Sequence, residues 1–552
     1  MAKFEIKDGV AVIPEGTTKI GFRAFDNCTS LTHITIPKSV NEIVSAAFRG
    51  CTNLTGITIP ESVTKIGSRA FMDCTALTSI TIPDGVTEIG EGVFMNCNSL
   101  TDITIPKGIT EIPWAAFQNC TALTSIVIPE GVTEISGARS FMSLKSGAFE
   151  GCTNLASITI PESMTKIDQK TFKGCNSLTS IVIPKSVTEI GESAFEDCTS
   201  LTDIVLPEGV TEIKNRTFYG CSSLINIVIS EGVTRIYQEA FANCTTLSRI
   251  FIPKSVRRID DGSTFAGTNL ISIAVDKGNP EYDSREGCNA IIYTKSNRLV
   301  VGCRTTIIPD SIEEIGYSAF SNSIIDHIEI PKSVNEIHDY AFQHCKNLTH
   351  IVIPKTVERI GYGVFVGAGL TKIVVEEGNP EYDSREGCNA IIETATNNLI
   401  AGCKTTIIPD SIEVIGYIAF RSSTIDHINI PQSVEIIEDD AFRDCRNLIQ
   451  ATVPKSVKKM GYHVFANCSK LENLSILGPI EELLELFLPE DKIYNTLKSI
   501  TFGDISIAAF TERAKECIQM CENLQTLYAP ADKLEDYRSM FSKIKDYREY
   551  KQ

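Results

Sequence analysis

Hydrophobic and polar positions recur along this chain with a period of 23 residues. The unit reads L-T-x-I-x-I-P-x-x-V-T-x-I-G-x-x-A-F-x-x-C-x-x, as in LTSITIPDGVTEIGEGVFMNCNS from position 77 to 99. The Ile-Pro pairs mark the period, with prolines at positions 14, 37, 60, 83, 106, 129, 161, 184, 207 and 253 and a serine at 230. Self-similarity at this spacing predicts a solenoid in which each repeat forms one coil.

Within the unit, the segment L-T-x-I-x-I alternates as a half-buried strand does. Ile80 and Ile82 fall on one face, and Ser79 and Thr81 fall on the other. The proline that follows ends the strand because it lacks an N–H donor, and V-T-E-I-G forms a second short extended piece before the A-F pair enters the core. We therefore predict a β-rich solenoid, a leucine-rich-repeat-like stack of parallel short strands with about twenty coils.

The repeats from residue 1 to 278 are regular except for one insertion. A longer step between Ile135 and Phe149 adds a loop at about 136–146, which contains Phe141, Met142 and Leu144. Inserted loops are where repeat proteins often carry their specific contacts. Two interpretations stay open: the apolar residues fold back over a neighbouring coil, or they protrude toward a partner.

Residues 279–470 read as two tandem copies of a block of hairpin plus repeats. The segment GNPEYDSREGCNAII occurs at 278–292 and again at 378–392, followed by hairpin patterns at 288–303 and 388–403. A two-residue turn would place Cys288 opposite Cys303 and Cys388 opposite Cys403, and only that register permits disulfides. The loop also offers oxygen ligands that suit calcium, but it lacks the spacing of a calcium loop. One duplication of scaffold is the favoured explanation.

Residues 471–552 depart furthest from the repeat. Strand-like segments LENLSI, LKSITF and LQTLYAP alternate with three stretches expected to be helical, one from Glu481, one at 507–521 and one at 534–547. Degenerate terminal coils that contain helices are typical of a cap. We predict an α-helical C-terminal cap.

The repeat from Phe4 to about Ile476 resembles the BspA-like leucine-rich-repeat family, whose units read I-x-I-P-x-x-V-T-x-I-G-x-x-A-F-x-x-C-x-x-L. The resemblance implies a bacterial or protist surface protein that is active in adhesion or in binding host proteins. The N-terminal segment MAKFEIKDGVAVIPEG has no apolar run behind basic residues. This segment predicts no export signal and, for a complete chain, a cytoplasmic location, whereas the resemblance implies the cell surface or secretion.

Composition narrows the range of partners and chemistry. A net charge of −18 disfavours nucleic acid, and no apolar run is long enough to insert into a membrane. Most of the nineteen cysteines recur once per coil as small buried residues, without a C-x-x-C pair, and no catalytic or phosphate-binding motif is present. We expect a monomer that is not an enzyme and binds no cofactor or metal.

Aromatic and charged residues at outward positions are the candidate partner-binding residues. The position after I-G holds Trp114, Tyr317, Tyr362, Tyr417 and Tyr462, and the later strands expose Arg249 and Phe251. With the loop, the candidates are Trp114, Phe141, Met142, Leu144, Arg249, Phe251, Tyr317, Tyr362, Tyr417 and Tyr462. The rings could instead cover the edges of the coils. We predict a scaffold that binds protein or glycan in an adhesin-like role, and an intracellular interaction or inhibitor protein is the alternative.

Overall fold

The structure, a computed structural model, describes residues 5–136, 146–487 and 496–550. The chain forms two compact units, Met1–Asp283 and Ser284–Gln552. In each unit, L-T-x-I-x-I forms a strand in what we call the first strand row, and V-T-x-I forms a two-residue strand in the second strand row. Equivalent residues of neighbouring coils pair in parallel, as Ile80 does with Ile103. The predicted solenoid of parallel short strands is confirmed.

The first unit contains eleven strands in each row among its described residues. The first strand row comprises Val10–Val12, His33–Thr35, Gly56–Thr58, Ser79–Thr81, Asp102–Thr104, Ser125–Val127, Ser157–Thr159, Asp203–Val205, Asn226–Val228, Arg249–Ile252 and Ser272–Val275. The second strand row comprises Lys19–Ile20, Glu42–Ile43, Lys65–Ile66, Glu88–Ile89, Glu111–Ile112, Glu134–Ile135, Lys166–Ile167, Glu189–Ile190, Glu212–Ile213, Arg235–Ile236 and Arg258–Ile259. Strands Ile6–Lys7 and Tyr282–Asp283 and the 3-10 helix Gly262–Phe265 complete the unit.

The second unit keeps both rows and adds the hairpins. The first strand row comprises His350–Ile353, Lys372–Val375, Gln450–Val453, Asn473–Ile476, Ser499–Phe502, Thr526–Ala529 and Asp546–Glu549. The second strand row comprises Arg298–Val301, Glu314–Ile315, Glu336–Ile337, Arg359–Ile360, Asn398–Gly402, Val414–Ile415, Ile436–Ile437 and Lys459–Met460. Strands Ile291–Tyr293, Tyr382–Asp383 and Ala390–Glu393 precede the hairpin turns, and 3-10 helices lie at Arg285–Gly287 and Arg385–Gly387.

A column of phenylalanine rings forms the centre of the core. In the first unit, the ring of the A-F pair stacks on its equivalent in the next coil, with centroids 5.2 Å apart for Phe25 and Phe48 and 5.8 Å apart for Phe149 and Phe172. Each buried ring contributes about 1.5–3 kcal/mol from removal of apolar area from water. The stacking repeats from coil to coil, so one side chain per repeat extends the core along the unit.

The cysteine of each repeat fills the space beside this column. The thiol of Cys51 donates to the carbonyl oxygen of Phe25, 3.1 Å away, and the thiol of Cys74 donates likewise to Phe48. Burial raises the pKa of the Cys244 thiol to about 12. All nineteen cysteines are free thiols. The cysteine is thus a buried hydrogen-bond donor as well as the small apolar residue that its position predicts.

Each predicted hairpin forms and joins the second strand row. Ile291–Tyr293 pairs antiparallel with Arg298–Val301, which in turn pairs in parallel with Glu314–Ile315. The turn is centred as predicted, but a bulge at Ile291 shifts the pairing, so that Ile292 lies opposite Leu299 while Ile291 lies opposite Val301. The second hairpin has the same bulge. The register that would permit disulfides is therefore not formed, and Cys288, Cys303, Cys388 and Cys403 are not joined in disulfides.

The C-terminal part is less helical than predicted. The three strand-like segments all form first-row strands, but among the described residues of this part the α-helices extend only over Glu512–Gln519 and Leu534–Met540, with 3-10 turns at Ile507–Ala509 and Ala531–Lys533. The described residues 481–487 are not helical, and Leu483 instead bridges to Phe510. The last predicted helix ends at Met540 because the chain continues into strand Asp546–Glu549, where Tyr547 pairs with Leu527. Strand pairing with the preceding coil overrides helical periodicity here.

Candidate partner-binding surfaces

Four tyrosines of the second unit occupy the position after I-G, and we call Tyr317, Tyr362, Tyr417 and Tyr462 the tyrosine row. Their side chains are exposed, from 40% for Tyr417 to 66% for Tyr362. In the first unit the equivalent position is aromatic in two coils, as Phe22 and Trp114. It is polar in seven others, which have Ser45, Ser68, Glu91, Gln169, Glu192, Asn215 and Gln238. Tyrosine at this position is therefore not required to build the coil.

Two members of the tyrosine row come together although a hairpin separates them in sequence. The rings of Tyr362 and Tyr417 lie edge to face, with centroids 5.9 Å apart and planes inclined by 78°. The coils that carry them are adjacent, because the amide of Gly367 donates to the carbonyl oxygen of Arg421 at 3.3 Å. Such a pair is a preferred aromatic geometry. The position of the hairpin in the second strand row thus creates an aromatic pair on the surface.

Carboxylates of neighbouring coils hold the backbone of three row members. The amide of Tyr362 donates to Asp339 at 2.9 Å, and the amide of Tyr462 donates to Asp439 at 2.8 Å. The amide of Tyr417 donates to Glu438 at 2.7 Å. The main chain is therefore anchored without help from the phenol rings, which remain available for contacts.

Tyr340 extends this surface, and the sequence analysis missed it. Tyr340 lies one position beyond the row, in the left-handed region with φ of 57°. A Cβ atom on Gly363 would lie 2.6 Å from Cε1 of Tyr340, so the absence of a side chain lets the ring lie close to the Gly363 backbone. Burial raises the pKa of the Tyr340 phenol. The glycine after Tyr362 is the signal that a neighbouring ring occupies this space.

Charges of both signs surround the tyrosines. The buried Asp440 carboxylate accepts hydrogen bonds from Arg421 at 3.4 Å and from Arg443 at 3.3 Å. The ring of Tyr317 lies 4.5 Å from the imidazole of His338, whose Nε2 is 3.2 Å from Glu314. Tyrosine and arginine are both enriched at protein–protein interfaces.

The remaining candidates lie in the first unit. The Trp114 side chain is half-buried, and its indole nitrogen has no hydrogen-bond partner among the described residues. Phe141, Met142 and Leu144 lie outside the described residues. Arg249 and Phe251 both point outward from strand Arg249–Ile252, with Phe251 51% exposed. The structure brings Arg249 and Phe251 together on one strand, whereas Trp114 lies in a separate coil.

The duplicated acidic loop forms hydrogen bonds within the protein. The Asn279 amide nitrogen donates to the carbonyl oxygens of Pro253 and Val256, and its oxygen accepts from the amides of Glu281 and Tyr282. Asn379 forms the same four bonds. The asparagine oxygen, one of the oxygens that a calcium site in this loop would use, is therefore already engaged in each copy.

Within the described residues, no group of three or more His, Cys, Asp or Glu side chains is arranged to hold a metal ion. Burial tends to raise the pKa of the Asp383 carboxyl, but hydrogen bonds from Arg385 lower it overall. That carboxylate is held by its neighbour in the loop. Over residues 5–136, 146–487 and 496–550, no helix is both long and apolar enough to cross a membrane.

The comparisons with known proteins agree with the repeat pattern. Residues 18–146, 142–272, 299–385 and 397–514 match the family described as the BspA type leucine-rich repeat region, in six copies. No curated protein matches the sequence. A leucine-rich-repeat protein of T. pallidum is similar at 30% identity over 35% of this chain and 78% of its own, with a TM-score of 0.28.

Two further solved structures are similar along nearly the whole chain. A leucine-rich-repeat protein from Bacteroides ovatus is 20% identical over 98% of this chain and 92% of its own, with a TM-score of 0.26. A leucine-rich cell surface protein from Faecalibacterium prausnitzii is 21% identical over 98% of this chain and 95% of its own, with a TM-score of 0.29. The family match covers most of the chain in regions that form the two strand rows. The chain belongs to the BspA-type leucine-rich-repeat family.

Proposed function

We propose that this chain is a non-enzymatic binding scaffold that contacts host proteins or glycans at the cell surface, and that the tyrosine row of the second unit is its partner-binding surface. The observation that carries the proposal is the exposed pair formed by Tyr362 and Tyr417. Exposed aromatic side chains that lie together mark interaction sites, and tyrosine is enriched among residues that dominate binding energy.

Three features support assigning the binding role to this row. The repeat accepts small polar residues at the same position in the first unit. Main-chain anchors hold Tyr362, Tyr417 and Tyr462 independently of their rings. The rings are rigid and lose little entropy on binding, so they offer contact area at low conformational cost.

One observation favours the alternative, an intracellular interaction or inhibitor scaffold. All nineteen cysteines are free thiols, which is the usual state in a reducing compartment. The surface location follows from the family resemblance, so the experiment must separate the two compartments by the partner that is captured.

The test compares the unchanged 552-residue chain with two matched triple variants. Tyr317→Ser, Tyr362→Ser and Tyr417→Ser remove three rings of the row, whereas the control replaces Glu91, Glu192 and Gln238 by serine at the same repeat position. Each protein is immobilised and exposed to host extracellular matrix and to cytosolic lysate, and captured proteins and glycans are quantified by mass spectrometry.

We expect a matrix component to be captured by the unchanged chain and by the control, and its capture to fall about tenfold or more in the tyrosine variant. The melting temperature should fall by only a few degrees, since surface substitutions usually change stability by less than about 0.5 kcal/mol each. Capture of a cytosolic partner alone would favour the intracellular alternative. A large loss of stability would show that the rings cover the coil edges instead.

A further inference from the structure

A continuous apolar strip lies on the outward face of the first strand row in the first unit. We define the apolar strip as Val182, Val205, Val228, Phe251 and Ala274, which occupy the same outward position of successive coils. Val205 pairs with Val228, and Phe251 pairs with Ala274, each in parallel register. Val182 is 82% exposed and Phe251 is 51% exposed. Five neighbouring coils thus present one apolar side chain each to solvent.

The repeat does not require these residues. The same outward position holds Thr35, Thr58, Thr81 and Thr104 in four earlier coils. The inward isoleucines are alike in both halves, as Ile80 and Ile204 show by being buried. The change from threonine to valine and phenylalanine therefore alters only the surface, and contiguous exposed apolar residues mark interaction sites.

Unpaired charges lie at the Phe251 end of the strip. Arg249 is on the same strand and face, and Lys254 and Lys277 follow the first-row strands of the last two coils. All three side chains are exposed, and none forms an ion pair within the described residues. Farther along the strip, the exposed Asp203 and Glu208 flank Val205. Although the chain is acidic overall, a partner that covers Phe251 meets local positive charge and needs acidic groups there.

The sheet face restricts the backbone of the partner. Strands in the interior of a sheet use their amides and carbonyl oxygens in pairing with neighbours, within the plane of the sheet. A segment lying on the face therefore gains no backbone hydrogen bonds from it, in contrast to a strand added at an edge. A partner that satisfies its own backbone is favoured, which means a helix.

We propose that the apolar strip binds an amphipathic α-helix of a partner protein, with one apolar side chain per turn and acidic residues at the end that covers Phe251. Successive strands are about 4.8 Å apart, and a helical turn rises about 5.4 Å. The spacing of one apolar residue per helical turn therefore nearly matches the spacing of one apolar residue per coil over the length of the strip. This surface lies in the first unit and does not depend on the tyrosine row.

The probe is a fluorescein-labelled synthetic peptide of about 18 residues, long enough for about five helical turns. It carries leucine at steps of three and four and glutamates in its first turn. Its binding to the unchanged 552-residue chain is followed by fluorescence anisotropy. We expect saturable binding with a Kd below about 1 mM. Binding should weaken about tenfold or more in Val205→Asp/Val228→Asp, whereas the matched variant Thr58→Asp/Thr81→Asp should bind as the unchanged chain does.

Two further arms test the charge and the helix. The variant Arg249→Glu/Lys254→Glu should bind the glutamate peptide more weakly than the unchanged chain does. A second peptide, with lysines in place of the glutamates, should bind this variant more tightly than it binds the unchanged chain. A peptide of the same length, in which a central residue is replaced by proline to break the helix, should not bind. Val205→Ser/Val228→Ser serves as a second strip variant, and circular dichroism confirms folding of every variant.

Any one of three binding results would overturn the proposal. In the first, the strip variants bind the peptide as tightly as the unchanged chain does. In the second, the proline-interrupted peptide binds the unchanged chain as tightly as the helical peptide does. In the third, binding of the helical peptide to the unchanged chain does not saturate. Analytical ultracentrifugation of the unchanged chain and of Val205→Asp/Val228→Asp tests whether the strip instead binds a second copy of this chain. Self-association that the variant abolishes would assign the strip to a second copy of this chain and would also refute the proposal.

Discussion

The two copies of the loop at 278–292 and 378–392 form the same asparagine hydrogen bonds, whereas the hairpins that follow differ at several solvent-facing positions. Asn279 and Asn379 each tie four backbone groups together. Tyr293 and Arg298 of the first hairpin are replaced by Glu393 and Asn398 in the second. The residues that hold the loop are kept, whereas these outward residues of the hairpin are not.

This difference indicates what the duplicated sequence does. A duplicated binding site would be expected to keep the exposed side chains of the loop and of the hairpin together, whereas a duplicated scaffold keeps its internal bonds while the outward residues of the hairpin change. Inward residues such as Ile292 and Leu299 have equivalents, Ile392 and Leu399, that are likewise fully buried. We therefore interpret the loop as a scaffold element that starts each hairpin, and the following predictions test whether both copies respond alike.

The largest effect is expected from Asn279→Ala and Asn379→Ala. Each substitution leaves several backbone amides and carbonyl oxygens without their partner, so we expect a loss of about 2–4 kcal/mol of local stability in each copy. Hydrogen exchange followed by mass spectrometry measures this loss in peptides around each loop separately, which matters because a chain with two units need not unfold in one step.

Lys277→Gln and Glu377→Gln, at exposed positions two residues before each asparagine, are the matched controls and should leave exchange unchanged. A loss confined to one copy would contradict the view that both loops are the same scaffold element.

A smaller effect is expected from Tyr282→Phe and Tyr382→Phe. The amide of Ile259 donates to the Tyr282 hydroxyl oxygen at 2.8 Å, and the amide of Ile360 donates to Tyr382 at 3.1 Å. Losing the hydroxyl should cost about 1–2 kcal/mol. The cost should be larger in the first copy because its bond is shorter and Ile259 is more deeply buried than Ile360.

The pH dependence of hydrogen exchange provides a second test of the role of Tyr382. Burial raises the pKa of the Tyr382 phenol above its ordinary value, so the folded state disfavours the ionised form. Stability from this group is complete below the unfolded pKa of about 10 and is lost as the pH rises through the folded pKa. Tyr382→Phe should reduce the alkaline rise in exchange around this loop. An unchanged alkaline slope would mean that the phenol is not confined as described.

Repeat periodicity predicted the fold because each coil depends on local signals. The Ile-Pro pair and the A-F pair specify a strand end and a core residue within one unit, as Pro83 and Phe94 illustrate. Near the C-terminus, helical periodicity in residues 534–547 competed with strand pairing. Tyr547 lies in a strand because pairing with Leu527 satisfies its backbone hydrogen bonds. A local sequence pattern does not indicate which strand of a neighbouring coil will be the pairing partner.

The candidate surfaces were predictable only in part, for a similar reason. The repeat register identified Tyr362 and Tyr417 as outward residues, but their contact depends on which coils become neighbours around a hairpin. Tyr340 was missed because its ring lies over Gly363, a glycine whose role appears only when the coils are stacked. Sequence periodicity determines which way a residue faces, whereas the stacking of coils determines what it contacts.

The smallest effect is expected from Glu286→Gly and Glu386→Gly, and its sign is stabilising. Both glutamates are exposed and adopt φ of 58°, a left-handed conformation that costs a non-glycine residue about 1–2 kcal/mol. Glycine relieves this cost but loses more backbone entropy on folding, so a net gain of about 0.5 kcal/mol in local stability is expected in each copy. Slower exchange around both loops checks this gain, with Glu286→Gln and Glu386→Gln as controls that keep the Cβ atom. If glycine destabilised either loop, the glutamate would have to supply a contact there, and that copy would be more than scaffold.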